Sequence, residues 1–189
     1  MIRQERVTKE TSIELALEID GRQQVHAETG HGFLDHLIHQ LAFHAGWDLT
    51  LKATGDLEVD DHHLVEDVAI VLGGALQKAW CERSGINRYG QRILPMDDAL
   101  LLCAVDLCGR PYFKQKLRLK RDAAGGLSCE MIPHFFHSLA MAGQFNLHLR
   151  RITGHNHHHL IEGAFKALAH ALREALAIRG GETSTKGSL

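Results

Sequence analysis

Two copies of the pattern His-His-x-x-Glu stand 96 residues apart, as His62-His63-Leu64-Val65-Glu66 and His158-His159-Leu160-Ile161-Glu162. Imidazole and carboxylate without thiolate suit a borderline divalent ion such as manganese, iron, cobalt, nickel or zinc. On a helix, residues four apart share a face, so His62 lies over Glu66 and His158 over Glu162, while His63 and His159 turn about 100° away. One His-His pair therefore does not readily serve one ion. The simplest arrangement puts His62 with Glu66 on one ion and His158 with Glu162 on another. The second His of each pair then reaches the ion organised by the opposite repeat. With a further His from elsewhere, three His and one Glu would leave two octahedral positions open, which points to substrate binding or catalysis because structural sites are normally closed.

Those further histidines are His36 and His134, at an offset of 98 residues. His36-Leu-Ile-His39-Gln-Leu41-Ala42 matches His134-Phe-Phe-His137-Ser-Leu139-Ala140, and Trp47-Asp-Leu49-Thr-Leu51 matches Phe145-Asn-Leu147-His-Leu149. Taken alone, His36 or His134 is more often a core or capping histidine, and a single His-His-x-x-Glu is as often a solvated helix start. An ordered set repeated twice is duplication, and helix formation gives no reason to keep the same donors in both copies. His26, His31, His39, His137, His148, His155, His157 and His170 take the ordinary structural reading, with His31 and His157 close enough to support ligands.

The elements that must position these groups follow from periodicity. Alternation over Ile13–Ile19, followed by Asp20-Gly21 and Val25, predicts a hairpin. Apolar spacing predicts helices over about 32–45, ended by Gly46, and over about 62–83, with Asp60 or Asp61 as N-cap. Strands are expected at Trp47–Leu51, Leu100–Val105 and Tyr112–Leu119, a turn at Asp122–Gly126, and a short helix opened by Pro133. The expected class is α+β, two fused sheet-plus-helix repeats spanning 1–92 and 93–180 with a tail at 181–189.

Composition limits the function classes. The 189 residues carry 21 Lys+Arg against 23 Asp+Glu, for a formal charge of −2, and no basic run offers the footprint that nucleic acid needs. No apolar stretch approaches the ~20 residues of a membrane span, and the charged N-terminus lacks a signal-peptide core, so a cytoplasmic protein is expected. The four cysteines show no CxxC spacing and are expected to be reduced. The 15 histidines are the compositional anomaly, and six of them are the duplicated donors. A dinuclear hydrolase and a non-catalytic metal-storage or metal-stabilised assembly protein are the competing readings.

The runs Gly32-Phe33-Leu34-Asp35-His36, Gly55-Asp56-Leu57 through Asp61-His62-His63-Leu64-Val65-Glu66-Asp67, and His158-His159-Leu160-Ile161-Glu162 with Phe165-Lys166-Ala167 resemble the imidazoleglycerol-phosphate dehydratase family. The resemblance extends from Arg6-Val7-Thr8-Lys9-Glu10-Thr11 to Ser184-Thr185-Lys186-Gly187. It implies the fold class of the second domain of ribosomal protein S5. It also implies two Mn2+ per active site, with His36, His62, Glu66 and His159 on one ion and His63, His134, His158 and Glu162 on the other. It further implies trimers that metal drives into a large cubic-symmetry homo-oligomer, with active sites between subunits.

The reaction so implied is dehydration of imidazole glycerol phosphate to imidazole acetol phosphate in histidine biosynthesis. The ions would act as Lewis acids favouring an imidazolate that expels hydroxide through a diazafulvene-like intermediate. Glu10 is the leading candidate for proton transfer, and Gln40 and His44 would contact the glycerol part. Arg88, Arg110, Lys166, Ser184, Thr185 and Lys186 would hold the phosphate, although Arg88 and Arg110 by themselves read as turn residues beside Gly90 and Gly109. The family's phosphatase domain found in some relatives is not expected. Leu64, where a small polar residue is usual, and the extra His157 depart from the pattern without replacing a ligand.

Overall fold

The computed structural model describes residues 1–180 and is built from one motif used twice. In the first half, β1 (Ile2–Val7) and β2 (Thr11–Glu18) form an antiparallel pair, β3 (Val25–Glu28) follows, and α1 (Gly32–Ala45), β4 (Asp48–Gly55) and α2 (His62–Cys81) complete the unit. In the second, β5 (Tyr89–Met96), β6 (Ala99–Leu107), β7 (Tyr112–Lys116), α3 (Met131–Gly143), β10 (Phe145–Thr153) and α4 (His157–Leu176) repeat that order. A small hairpin, β8 (Ala123–Ala124) and β9 (Leu127–Ser128), is inserted before α3. The sheets read β1-β2-β4-β3 and β5-β6-β10-β7, the same topology in both halves, so the α+β duplication expected from the sequence is the observed architecture. The second sheet already begins at Tyr89, so the expected division at residues 92 and 93 falls inside β5.

Each sheet buries one face. Ile13, Leu15 and Leu17 of β2, and Leu101, Cys103 and Val105 of β6, alternate inward. The helices lie between the sheets, α1 against α4 and α2 against α3, so the helix faces that bear the donors meet across the two halves. Leu64 and Leu160, at equivalent positions, are both fully buried; Leu64 lies against Gly55, so its departure from the expected small polar residue serves packing.

The hairpin expected between β2 and β3 does not form. Both edges of β2 are taken by β1 and β4, and β3 instead pairs parallel with β4. Asp48 causes the detour: its Oδ1 accepts from the Arg22 and Gln24 backbone N–H groups and draws the 20–24 loop across the start of β4.

The α1 boundaries agree with the periodicity, and Gly46 ends the helix at φ 83°, a left-handed conformation glycine adopts freely. At α2 the N-cap residue Asp61 makes no cap bond; Asp60 Oδ1 accepts from His62 N, and Asp61 Oδ2 accepts from Ser128 N in the second half.

At the α2–α3 crossing, a Cβ on Gly73 would stand 2.7 Å from the Leu139 carbonyl oxygen and 3.0 Å from Gly143 N. These are backbone atoms and cannot yield without moving a helix. Gly73→Ala is expected to cost about 1–3 kcal/mol, as overpacking does, read as a lower thermal midpoint by ~2–4 °C per kcal/mol. An unchanged midpoint would show that the helices separate freely there.

Candidate metal centre and active site

Two clusters of three donors form where helices of opposite halves meet. In the first, His36 of α1 joins His158 and Glu162 of α4; in the second, His134 of α3 joins His62 and Glu66 of α2. Within each cluster the ligand atoms lie within 4.8 Å of one another. The resemblance grouped His36 with His62 and Glu66, and His134 with His158 and Glu162. Within this chain α1 packs on α4 and α3 on α2, so His36 lies beside His158 and Glu162 and His134 beside His62 and Glu66; the ligand sets of the resemblance belong to sites between subunits.

Glu162 is the hub of the first cluster. Its Oε2 lies 3.0 Å from His36 Nε2 and 2.9 Å from His158 Nε2, and its Oε1 accepts from Lys166 Nζ at 2.6 Å. Burial alone would raise the Glu162 pKa, but hydrogen bonds from His36 and Lys166 and the Lys166 charge outweigh it and hold the carboxyl at about 2. It is an anion at any working pH. Phe33 covers His158, with ring centroids 5.2 Å apart.

The second cluster is more open: His62 Nε2 and His134 Nε2 stand 3.7 and 3.3 Å from the Glu66 carboxylate. His134 Nε2 is buried with no hydrogen-bond partner among the described residues. An orphaned imidazole nitrogen facing a carboxylate and a second imidazole suits coordination of a divalent cation, since buried polar atoms are otherwise paired. The donor sets therefore fit divalent metal ions.

His63 and His159 belong to neither cluster. His63 Nδ1 is 3.0 Å from Asp56 Oδ2, with Nε2 3.7 Å from Glu10 Oε2. His159 Nδ1 is 2.8 Å from Asp98 Oδ1, with Nε2 3.4 Å from Asp97 Oδ2. The hydrogen bond to Asp56, together with the Glu10, Asp56 and Asp60 charges, outweighs desolvation and raises the His63 pKa. Asp98 is held far below the usual carboxylate range by backbone His155 N–H, the His159 ring and Asn156 N–H. Glu10 and Asp97 occupy corresponding β1–β2 and β5–β6 turns, a parallel no repeat alignment of the histidine blocks exposes. The Glu10 turn is fastened to α2 through Asp67, which accepts from Arg6 Nε at 2.7 Å and Thr11 Oγ1 at 2.6 Å.

The remaining site residues are dispersed. Gln40 and His44 lie on α1, and His44 stands 5.5 Å ring-to-ring from His170 of α4. Arg88 N donates to Ala175 O near the end of α4, about 20 Å along that helix from Glu162 at 1.5 Å per residue. The Arg88 guanidinium pairs with Asp106, and Arg110 lies on the turn after β6 at the same end of the sheet. Within one chain the two arginines and the metal clusters are thus apart. Ser184, Thr185 and Lys186 lie outside the described residues. His157 Nε2 accepts from Lys120 N at 2.8 Å and Arg121 N at 3.3 Å, which ties the 117–122 segment to the start of α4.

Burial, Lys166 and His170 together lower the His44 pKa; burial, Arg92 and Arg173 lower that of His170. Both rings bind protons more readily in the unfolded chain, so stability falls as pH drops below the unfolded value near 6.5. In His170→Gln the urea midpoint is expected to fall less between pH 7.5 and 5.5 than in the parent chain; an equal fall would remove His170 from the account.

Residues 29–172 match the family described as Imidazoleglycerol-phosphate dehydratase. The chain belongs to this family. Imidazoleglycerol-phosphate dehydratase of Lachnoclostridium phytofermentans is 46% identical over 97% of this chain and 95% of its own length, and that of Chlorobium chlorochromatii 50% identical over 96% and 93%. The crystal structure of IGPD from Pyrococcus furiosus in complex with (S)-C348 superposes with a TM-score of 0.85 at 37% identity, covering 98% of this chain and 99% of that one. Among the described residues no helix of this family member is long and apolar enough to cross a membrane.

Proposed function

We propose that this chain is a hydro-lyase of histidine biosynthesis that dehydrates imidazole glycerol phosphate to imidazole acetol phosphate. The observation that carries the reading is the pair of matched two-His, one-carboxylate clusters, set at corresponding helix crossings in a chain of this family. Two Mn2+ ions per active site, bound at the imidazole nitrogens of the substrate, would supply Lewis acidity that makes departure of the hydroxyl and loss of an unactivated carbon-bound proton feasible.

His36, His158 and Glu162 would hold one ion, and His62, His134 and Glu66 the other. Each set lacks one imidazole of the expected three. His63 and His159 supply it in this reading, from a second copy of the chain, since on their own chain they lie at separate places paired with Asp56 and Asp98. A trimer-based homo-oligomer of cubic symmetry, with active sites between subunits, satisfies that need. It also brings the distant Arg88 and Arg110 to an ion pair on a neighbour.

Glu10, on an exposed turn, moves the proton lost from carbon. His44, whose pKa burial lowers, and Gln40 orient the glycerol hydroxyls. Arg88, Arg110 and Lys166, together with Ser184, Thr185 and Lys186, bind the phosphate, guanidinium matching its oxygens in pairs. The test incubates the Mn2+-loaded protein with imidazole glycerol phosphate and measures imidazole acetol phosphate and inorganic phosphate separately. Dehydration without phosphate release is expected; phosphate release in its place would make this a dinuclear hydrolase.

A further inference from the structure

The two histidines outside the clusters share an arrangement that the duplication did not copy. Asp56 lies on the loop between β4 and α2, seven residues before His63, whereas Asp98 lies on the β5–β6 turn, 61 residues before His159. The residue corresponding to Asp56 by the 96-residue offset is Ile152 of β10. Two unrelated positions therefore place a carboxylate oxygen against Nδ1 of the second histidine in each His-His pair, at 3.0 and 2.8 Å.

An ionised carboxylate has lone pairs and no proton to donate. Facing it, Nδ1 must carry the hydrogen, and the neutral ring then has its lone pair on Nε2. Only that nitrogen can ligate a metal, and only in that tautomer. We propose that Asp56 and Asp98 are positioning residues that lock His63 and His159 as Nδ1–H tautomers, presenting a bare Nε2 to the ion organised by another subunit. The inference rests on the ligand role given to these histidines above. It adds what makes them ligands before any metal arrives. Both side chains are only partly exposed, 37% for His63 and 27% for His159, so each ring is held and still reachable.

Asp98 divides its oxygens: Oδ2 accepts from His155 N at 2.6 Å and Asn156 N at 3.0 Å, and Oδ1 takes the ring. Asparagine at this position would keep its one carbonyl oxygen on the two backbone N–H groups and turn its amide N–H toward Nδ1. The ring must then accept there, the proton moves to Nε2, and the lone pair for the metal is gone.

The experiment uses the full chain labelled with 15N-histidine, metal-free at pH 8, with tautomers read from long-range 15N–1H correlations and Mn2+ affinity measured by titration with the metal alone. In the parent protein His63 and His159 are expected to carry the proton on Nδ1. In Asp98→Asn the His159 proton is expected on Nε2, with Mn2+ affinity at that site falling about 10- to 100-fold, the usual cost of losing a partner behind a ligand. Asp98→Glu, which restores a carboxylate, is expected to recover both.

Asp56→Ala is the second variant: among the described residues the Asp56 carboxylate accepts from no backbone N–H, so the fold is spared, and the His63 ring, without an acceptor at Nδ1, is expected to shift its proton toward Nε2, the tautomer a free imidazole favours. A proton on Nε2 in the parent, or no change of tautomer in either variant, would overturn the positioning role. A tautomer change with Mn2+ affinity intact would overturn the ligand reading beneath it.

Discussion

On the proposed two-ion reading, replacing Glu162 with Gln is expected to remove one metal ion per site and to lower turnover by at least about a thousandfold, or ~4 kcal/mol at 1.36 kcal/mol per tenfold. The side chain is 7% exposed and takes three cationic or hydrogen-donating partners at 2.6 to 3.0 Å. Gln is nearly the same shape but uncharged, so it neither neutralises a divalent cation nor balances Lys166, whose ammonium would remain beside two imidazoles without its counter-ion. Glu66→Gln makes the matching test at the second cluster, where the carboxylate is more exposed at 36% and structural side effects are smaller. Metal content by elemental analysis and turnover on the same preparation decide the matter. A Glu162→Gln protein with both ions and full activity would exclude Glu162 from the centre.

Glu10→Gln is expected to act differently. General acid–base groups contribute typically 10²–10⁴-fold, and the loss should fall on kcat with metal content and assembly unchanged. The geometry explains the separation: the Glu10 side chain is 53% exposed and approaches only the edge of His63, 3.7 Å from Nε2, so removing its charge leaves both clusters intact. The turn that carries it is held independently by the Arg6–Asp67–Thr11 contacts. Unchanged kcat would withdraw Glu10 from proton transfer and direct attention to Asp97, its counterpart on the β5–β6 turn.

Much of the donor chemistry was readable along the chain because it is local. His62 over Glu66 and His158 over Glu162 depend only on the 3.6-residue helical period, and the structure keeps both pairs on one face. The duplication and the extent of α1 with its Gly46 stop depend on composition and spacing, which do not require knowing what packs where.

Which third imidazole joins each pair was different. His36 and His134 are equivalent in the repeat, and nothing in a one-dimensional match says that α1 must lie on α4 and α3 on α2. That choice belongs to the long-range burial of four helix faces between two sheets, a collective packing effect with no local signature. The same holds for β3, where the Asp20-Gly21 turn signal was overridden because both edges of β2 were occupied and Asp48 captured the loop. It holds again for Asp56 and Asp98, which reach their histidines from unmatched positions in the two halves. Residue order determines which atoms can bind a metal; tertiary packing decides which of them meet, because helical neighbours are set by a period and neighbours across a core only by the whole fold.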